Sequence, residues 1–201
     1  MTNQTIETSP FVYARAAGLL YLIIIVFGIF SEVFVRSSLI VTGDVAATTA
    51  NILASESLFR IGFAADSIML LSDVAIAVLF YVLFKPVSKT LALTAAAFRL
   101  TQASILGFNL LLYYAALLLL KEVNFGTAFE SAQLNNLALL FLDLHSHGYD
   151  LGLIFFGLSN IILGYLVIKS DFCPSMLGYG LIAAALVYLI GVTHFFFFQI
   201  T

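Results

Sequence analysis

Long apolar stretches alternate with short polar ones along the chain, and their lengths are the first guide to its architecture. The run AAGLLYLIIIVFGIFSEVFV at 16–35 is followed by comparable runs at 61–84, 90–120, 149–168 and 176–198. Each reaches the roughly 20 residues that a helix needs to cross a bilayer, so the pattern predicts five membrane-crossing helices. The leader before the first run has no lysine, and no small-x-small cleavage pattern follows it, which predicts an uncleaved helix and not a signal peptide. Tyr13, Tyr81, Tyr113, Tyr165 and Tyr179 fall near run ends, where an amphipathic ring suits the headgroup region.

The connections are of two kinds. KPVSK at 85–89 and KSDFCPS at 169–175 are short and contain a proline that stops a helix. TGDVAATTANILASESLFR at 42–60 is longer, with Asp44 placed to cap a short helix lying on the membrane surface. In FGTAFESAQLNNLALLFLDLHSH, Leu137, Leu140, Phe141 and Leu144 recur at i, i+3, i+4 and i+7, the spacing of an apolar helical stripe. From Phe129 to Leu144 that segment is short for a crossing, so it is expected to form a second interfacial or partly inserted helix leading into the fourth span. The expected fold is all-α: a polytopic membrane helix bundle of about five transmembrane helices plus two short interfacial helices, in a single integral membrane domain over 1–201. Arg15, Lys85, Lys89 and Lys169 on one side outnumber Arg36, Arg60 and Lys121 on the other. The positive-inside tendency then places the amino terminus and the two short links in the cytoplasm, with the chain in the inner (cytoplasmic) membrane.

Composition removes the soluble alternative. Hydrophobic residues make up 62% of the chain, charged residues 9%, and mean hydropathy is +1.10; a soluble domain carries about 25% charged residues. The net charge of -3 includes no basic patch, so the expected partner is the lipid bilayer and not nucleic acid. The single cysteine, Cys173, permits no intrachain disulfide and no zinc-type cysteine pair. Phosphate-cradling glycine loops and nucleophile elbows are absent, and no cofactor or metal is expected. Small-xxx-small spacings at Gly148/Gly152 and Ala14/Gly18 predict close helix packing within the chain, with a homo-oligomer through such faces as the alternative.

Polar residues inside the apolar runs carry the most information. Asp66 and Asp73 lie seven apart in the second run, as do Gln102 and Asn109 in the third, so each pair returns to one helix face. The short KPVSK link makes these two helices antiparallel neighbours. At 1.5 Å per residue, Asp73 lies about 18 Å from Lys85 and Arg99 about 15 Å from Lys89, while Asp66 and Asn109 both lie about 28–30 Å in. Two polar tiers follow: Asp73 with Arg99 and Gln102, then Asp66 with Asn109 near the outer boundary. An unpaired charge at mid-bilayer costs about 2.5–3.5 kcal/mol, which drives Asp73 and Arg99 together. Such a pair fixes helix register, or serves a proton or ion relay, or lines a lipid-headgroup pocket. A second set lies in DLHSHGYD: on a continuous helix Asp143, His147 and Asp150 share a face as i, i+4 and i+7, with His145 turned nearly opposite. That set has the donors for a divalent ion or proton transfer, and it equally suits a helix meeting water. Gly148 is a potential break there. His194 is expected to pack or to lie at the interface, and Glu32 to lie near the outer headgroups.

The segments RAAGLLYLIIIVFGIF, GDVAATTANILASESLFRIG, LALTAAAFRL and FFGLSNIILGYLVIKSDFCPSMLG resemble the bacterial integral-membrane family catalogued as domain of unknown function 4386. The succession of FFG, LGYL, KS and P-x-x-LG from Phe155 to Gly178 is the most specific part. The resemblance implies a multi-helix prokaryotic membrane protein with no assigned activity, and one more carboxy-terminal helix beyond LIGVTHFFFFQIT. The leading expectation for function is a non-enzymatic, transporter-like or regulatory membrane component with an intramembrane Asp–Arg polar core. The alternative is a membrane-embedded enzyme acting on a lipid or isoprenoid through the Asp143, His147 and Asp150 cluster.

Overall fold

The computed structural model describes residues 9–121 and 129–198, and no strand occurs among them. Helix α1 spans Pro10–Leu39, α2 Val45–Ala54, α3 Glu56–Phe84, α4 Lys89–Leu120, α5 Ser131–Ile168 and α6 Ser175–Phe198. All but α2 are long and apolar enough to cross a membrane. The start and stop signals act as their chemistry dictates. Asp44 accepts a hydrogen bond from the Ala47 N–H and caps α2, while Ser88 caps α4 by accepting from Leu91. The break between α2 and α3 is a single residue, Ser55.

One element differs from expectation. The segment foreseen as a separate interfacial helix is the amino-terminal part of α5, which runs unbroken for 38 residues; its first residues, 125–128, lie outside the described ones. Gly148 stays helical because it is an approach point and not a break: an added Cβ there would collide with the Asn109 amide of α4. The apolar stripe faces mostly outward. Leu137, Leu140 and Leu144 face outward, whereas Leu134, Ala138, Leu142 and His145 face the interior. Where the surroundings are acyl chains, the apolar stripe has no reason to seek the core.

Three apolar clusters stack along the bundle. One joins Val35, Leu39, Ile52, Phe59, Tyr113 and Leu134, and so collects the carboxy end of α1, Ile52 of α2, the start of α3 and the adjoining ends of α4 and α5. Another joins Leu83, Phe84, Ala92, Leu163 and Leu166 with Tyr13 and Phe172 at the opposite end, where both short links and the start of α1 meet. Between them lie Ala17, Ile24, Met69, Ile76 and Leu106. Outward faces remain apolar, as Ile61, Ile68, Leu71, Val74 and Val78 along α3 illustrate. A surface of this kind is stable against lipid and not against water.

Helix α6 packs on α5 through glycine. A Cβ at Gly164 would sit 2.6 Å from the Gly178 carbonyl oxygen, and Leu189 covers Gly157. Backbone meeting backbone replaces side-chain interdigitation, as the small-residue spacing implies. Substituting Gly164→Val should therefore cost about 1–3 kcal/mol through overpacking. Gly180→Ala, with nothing within 4 Å of the added carbon, should be neutral or slightly stabilising. Thermal unfolding of the purified protein in detergent micelles distinguishes the two.

Candidate functional site

The polar side chains inside the bundle form two tiers, and each draws on α1, α3, α4 and α5. In the first, the Arg99 guanidinium reaches Asp73 from α4: Nε donates to Oδ1 at 2.8 Å and Nη2 lies 2.6 Å from the same oxygen. Gln102 Nε2 donates to Asp73 Oδ2 at 3.1 Å. From α5, Asn160 Oδ1 accepts from Arg99 Nη1 and from the Tyr21 hydroxyl of α1, both at 3.3 Å. The rings of Phe156, Tyr21 and Phe80 lie 4.8, 5.2 and 5.9 Å from the guanidinium carbon, close enough for cation–π attraction. Asp73 and Arg99 are each 1% exposed. The pair is neutral, sealed and wrapped in aromatic faces, the condition under which a charge is tolerated away from water.

The second tier lies one seven-residue step along α3 and α4, about 10 Å away. Arg36 of α1 donates from Nη1 to Asp66 Oδ2 at 2.6 Å and from Nε to Glu32 Oε2 at 2.7 Å. The Glu32 side chain is 65% exposed, so an ion-pair chain runs from the surface to the buried Asp66. Local winding makes this possible. Residues Phe30–Arg36 form a π-helical segment, whose extra residue per turn lets the neighbours Val35 and Arg36 both face inward. Ser31 anchors the segment by donating to the Gly62 carbonyl at 3.0 Å. Opposite, Asn109 Nδ2 donates to the His145 carbonyl at 2.6 Å, and the His145 Nδ1 lies 3.0 Å from the Asn109 carbonyl. This reciprocal clasp ties α4 to α5, and the Tyr113 ring lies against the imidazole, 5.1 Å between centroids.

Asp66, Asn109, His145 and Tyr149 line one small cavity together with Met69, Leu70, Leu106 and Leu110. The room for the centre of a water-sized sphere is about 10 Å³, near the threshold for a single water. A larger depression of about 570 Å³ lies at the opposite end between the two short links, by Ser88, Lys169 and Asp171. None of its lining side chains is among the buried polar atoms that lack a partner, so the smaller cavity is the chemically pointed one. Beside the depression, burial raises the Cys173 thiol above its usual range and keeps it protonated and unreactive.

Of the residues singled out in the sequence, Asp73, Arg99 and Gln102 meet in one tier, and Asp66 and Asn109 border one cavity in the other. Asp143 and His147 lie exposed on α5, and the His147 Nδ1 faces the Asp143 carbonyl of its own helix at 2.7 Å. Among the described residues no group of three or more His, Cys, Asp or Glu side chains is arranged to hold a metal ion. Asp143, His147 and Asp150 form no such metal-holding group. His194, expected to pack or to lie at the interface, is exposed. Arg36, His145, Asn160 and Tyr21 were missed as members of the tiers. Arg36 looked like a flanking charge because the first span was ended at Val35, whereas the helix continues to Leu39. His145 had a legible signal: it extends the series Leu134, Ala138 and Leu142, the buried face of α5.

The comparisons with known proteins agree in kind. A protein of Archaeoglobus fulgidus, described as an uncharacterized protein, is 32% identical over 123 residues, which is 61% of this chain and 60% of that protein. The chain thus spans about 60% of the length of the curated relative it matches. That relative is archaeal, and no bacterial source follows from it. No solved structure matches the chain. The family described as Domain of unknown function (DUF4386) matches over residues 16–201, and with nearly the whole chain covered, the protein belongs to that family.

Proposed function

We propose that the protein is a non-enzymatic, transporter-like component of the cytoplasmic membrane. In this reading the Asp73–Arg99 tier anchors the bundle, and the Asp66 tier is where a small solute is handled. The observation that carries it is the contrast between the tiers. The first is sealed, with its charges matched; the second borders a cavity and is joined to the surface through Arg36 and Glu32. Met69 and Leu106, midway between the tiers on α3 and α4, form an apolar separator that suits a site loaded from one side. The amino end of α1 packs at the same end as the two short links, and Arg36 turns inward and is no loop charge. Both support an amino terminus on the cytoplasmic side. The enzymatic alternative has less to support it: Asp143 and His147 lie exposed on α5, and no group arranged to hold a metal ion occurs among the described residues.

Two outcomes follow. Replacing one partner, Asp73→Leu or Arg99→Leu, leaves a buried charge uncompensated and should cost about 3–5 kcal/mol, whereas the double replacement should recover most of that loss. Unfolding of the three variants in micelles measures the coupling, and additive losses would remove the anchoring role. Reconstituted vesicles should dissipate an imposed sodium or proton gradient faster than empty vesicles, with the excess rate lost in Asp66→Asn. Equal rates with and without protein would overturn the transport reading.

A further inference from the structure

The cavity of the second tier has an unusual polar wall. Asp66, Asn109 and His145 are 2%, 2% and 4% exposed, and Asp66 Oδ1, Asn109 Oδ1 and His145 Nε2 are each buried without a hydrogen-bond partner. Each has spent its other end. Asp66 Oδ2 is taken by Arg36, and Asn109 Nδ2 is committed to the His145 carbonyl. His145 Nδ1 faces a carbonyl oxygen, which can only accept, so Nδ1 carries the hydrogen and the neutral ring presents a lone pair at Nε2. Three residues that each carry an unpartnered acceptor thus border one cavity, whose remaining lining is Met69, Leu70, Leu106, Leu110 and Tyr149.

That wall selects its occupant. An anion finds no free donor among these three atoms; the one buried donor of the tier without a partner, Arg36 Nη2, belongs to a side chain that is not part of the lining and is already bonded to Asp66 and Glu32. A neutral water offers two hydrogens to three acceptors and leaves one unmet. A small cation, or a water carrying an extra proton, satisfies all three. Charge points the same way: Glu32 and Asp66 bring two negative charges and Arg36 one positive, so one negative charge remains while His145 is neutral. A divalent ion fits poorly, because the single cavity-facing carboxylate is already shared with Arg36 and a hard divalent cation takes six or more oxygen ligands. We propose that this cavity is a binding site for one small monovalent positive charge, a sodium ion or a proton carried on water, held by Asp66, Asn109 and His145. The other charged or titratable groups facing it are Arg36 and Glu32 from α1, Tyr113 from α4 and Tyr149 from α5. The proposal rests on the transporter-like reading for its physiological consequence; the binding itself is measurable without transport.

The test uses the purified full chain in micelles. Thermal-unfolding midpoints are compared in sodium, potassium and choline chloride at equal ionic strength, at about pH 8 and about pH 6, either side of the usual imidazole range. For a sodium site, sodium alone raises the midpoint saturably at the higher pH, and acidification narrows the difference as protons compete. For a proton site, the midpoint rises on acidification whatever the salt, because a site that holds the proton more tightly in the folded state than the free imidazole does in the unfolded chain stabilises as pH falls, and His145→Gln removes the rise. Asn109→Leu deletes one acceptor without changing charge and should weaken the sodium response roughly tenfold, as loss of a supporting ligand does. Should that variant fail to fold, the wild-type comparison decides alone. Midpoints indifferent to both cation and acid would overturn the site. Binding without vesicle flux would support the site and overturn transport, and flux without any cation or acid response would do the reverse.

Discussion

An ionised side chain enclosed between apolar helices has no water to turn to, and this constraint orders most of the bundle. Arg99 and Asp73 can be tolerated only at matching heights on adjacent helices, so their contact sets the register of α4 against α3. Asn160 and Tyr21 then attach α5 and α1 to the same point. The second tier repeats the requirement about two turns away, with Arg36 meeting Asp66 and Asn109 clasping His145. Two fixed heights per helix define axial position and rotation together, which apolar packing alone does not do. Helix α6 contributes to neither tier. It is held on α5 by glycine-to-glycine approach, and its large apolar side chains, Met176, Leu177, Val187 and Ile190 among them, face outward.

The parts legible in the sequence were those set by a single periodicity. Five apolar runs became five long helices, because crossing length is a count of residues. The seven-residue repeats of Asp66 with Asp73 and of Gln102 with Asn109 placed both tiers on α3 and α4, because the KPVSK link is too short to allow any neighbour but an antiparallel one. What escaped came from helices joined by longer connections, where no link length specifies which residue stands opposite. Arg36 needed both a helix extending past the apolar run and a π-helical segment to face Asp66, and neither leaves a mark in hydropathy. Asn160 lies within LSNIILGYL with nothing local to distinguish it from a residue at a helix end.

The outward-facing stripe of α5 has a general cause. A stripe of Leu137, Leu140, Phe141 and Leu144 on a soluble helix would mark the core-facing side. Here three of the four face outward, and the interior side carries Ala138, His145, Gly148, Gly152 and Asn160, a mixture of small and polar residues. With lipid outside, burial of leucine gains little over exposure, while burial of a polar group with its partner gains a great deal. The informative face of a membrane helix is thus the one least apolar, and read that way His145 and Asn160 stand out on the same helix. Asp143 and His147, by contrast, lie on the exposed side of α5 near its amino-terminal half.

The two tiers spend similar residues to opposite effect, and the difference lies in the number of acceptors per donor. Around Arg99, one guanidinium serves Asp73 and Asn160, and the amide nitrogen of Gln102 meets the remaining Asp73 oxygen. Donors and acceptors are more nearly matched, with one buried acceptor, Gln102 Oε1, left over. Around Asp66, the guanidinium of Arg36 is divided between Asp66 and the exposed Glu32, and Asn109 and His145 turn their donors on each other's backbones. Three acceptors are left over against one donor, Arg36 Nη2, and the residues that carry the acceptors line the same cavity. Since a buried unpaired acceptor destabilises the fold by about 1–3 kcal/mol, three bordering one space are costly unless something fills it. A bundle already positioned by the Asp73 tier can carry that cost, which is why a sealed charge pair and an acceptor-rich cavity are complementary parts of one arrangement.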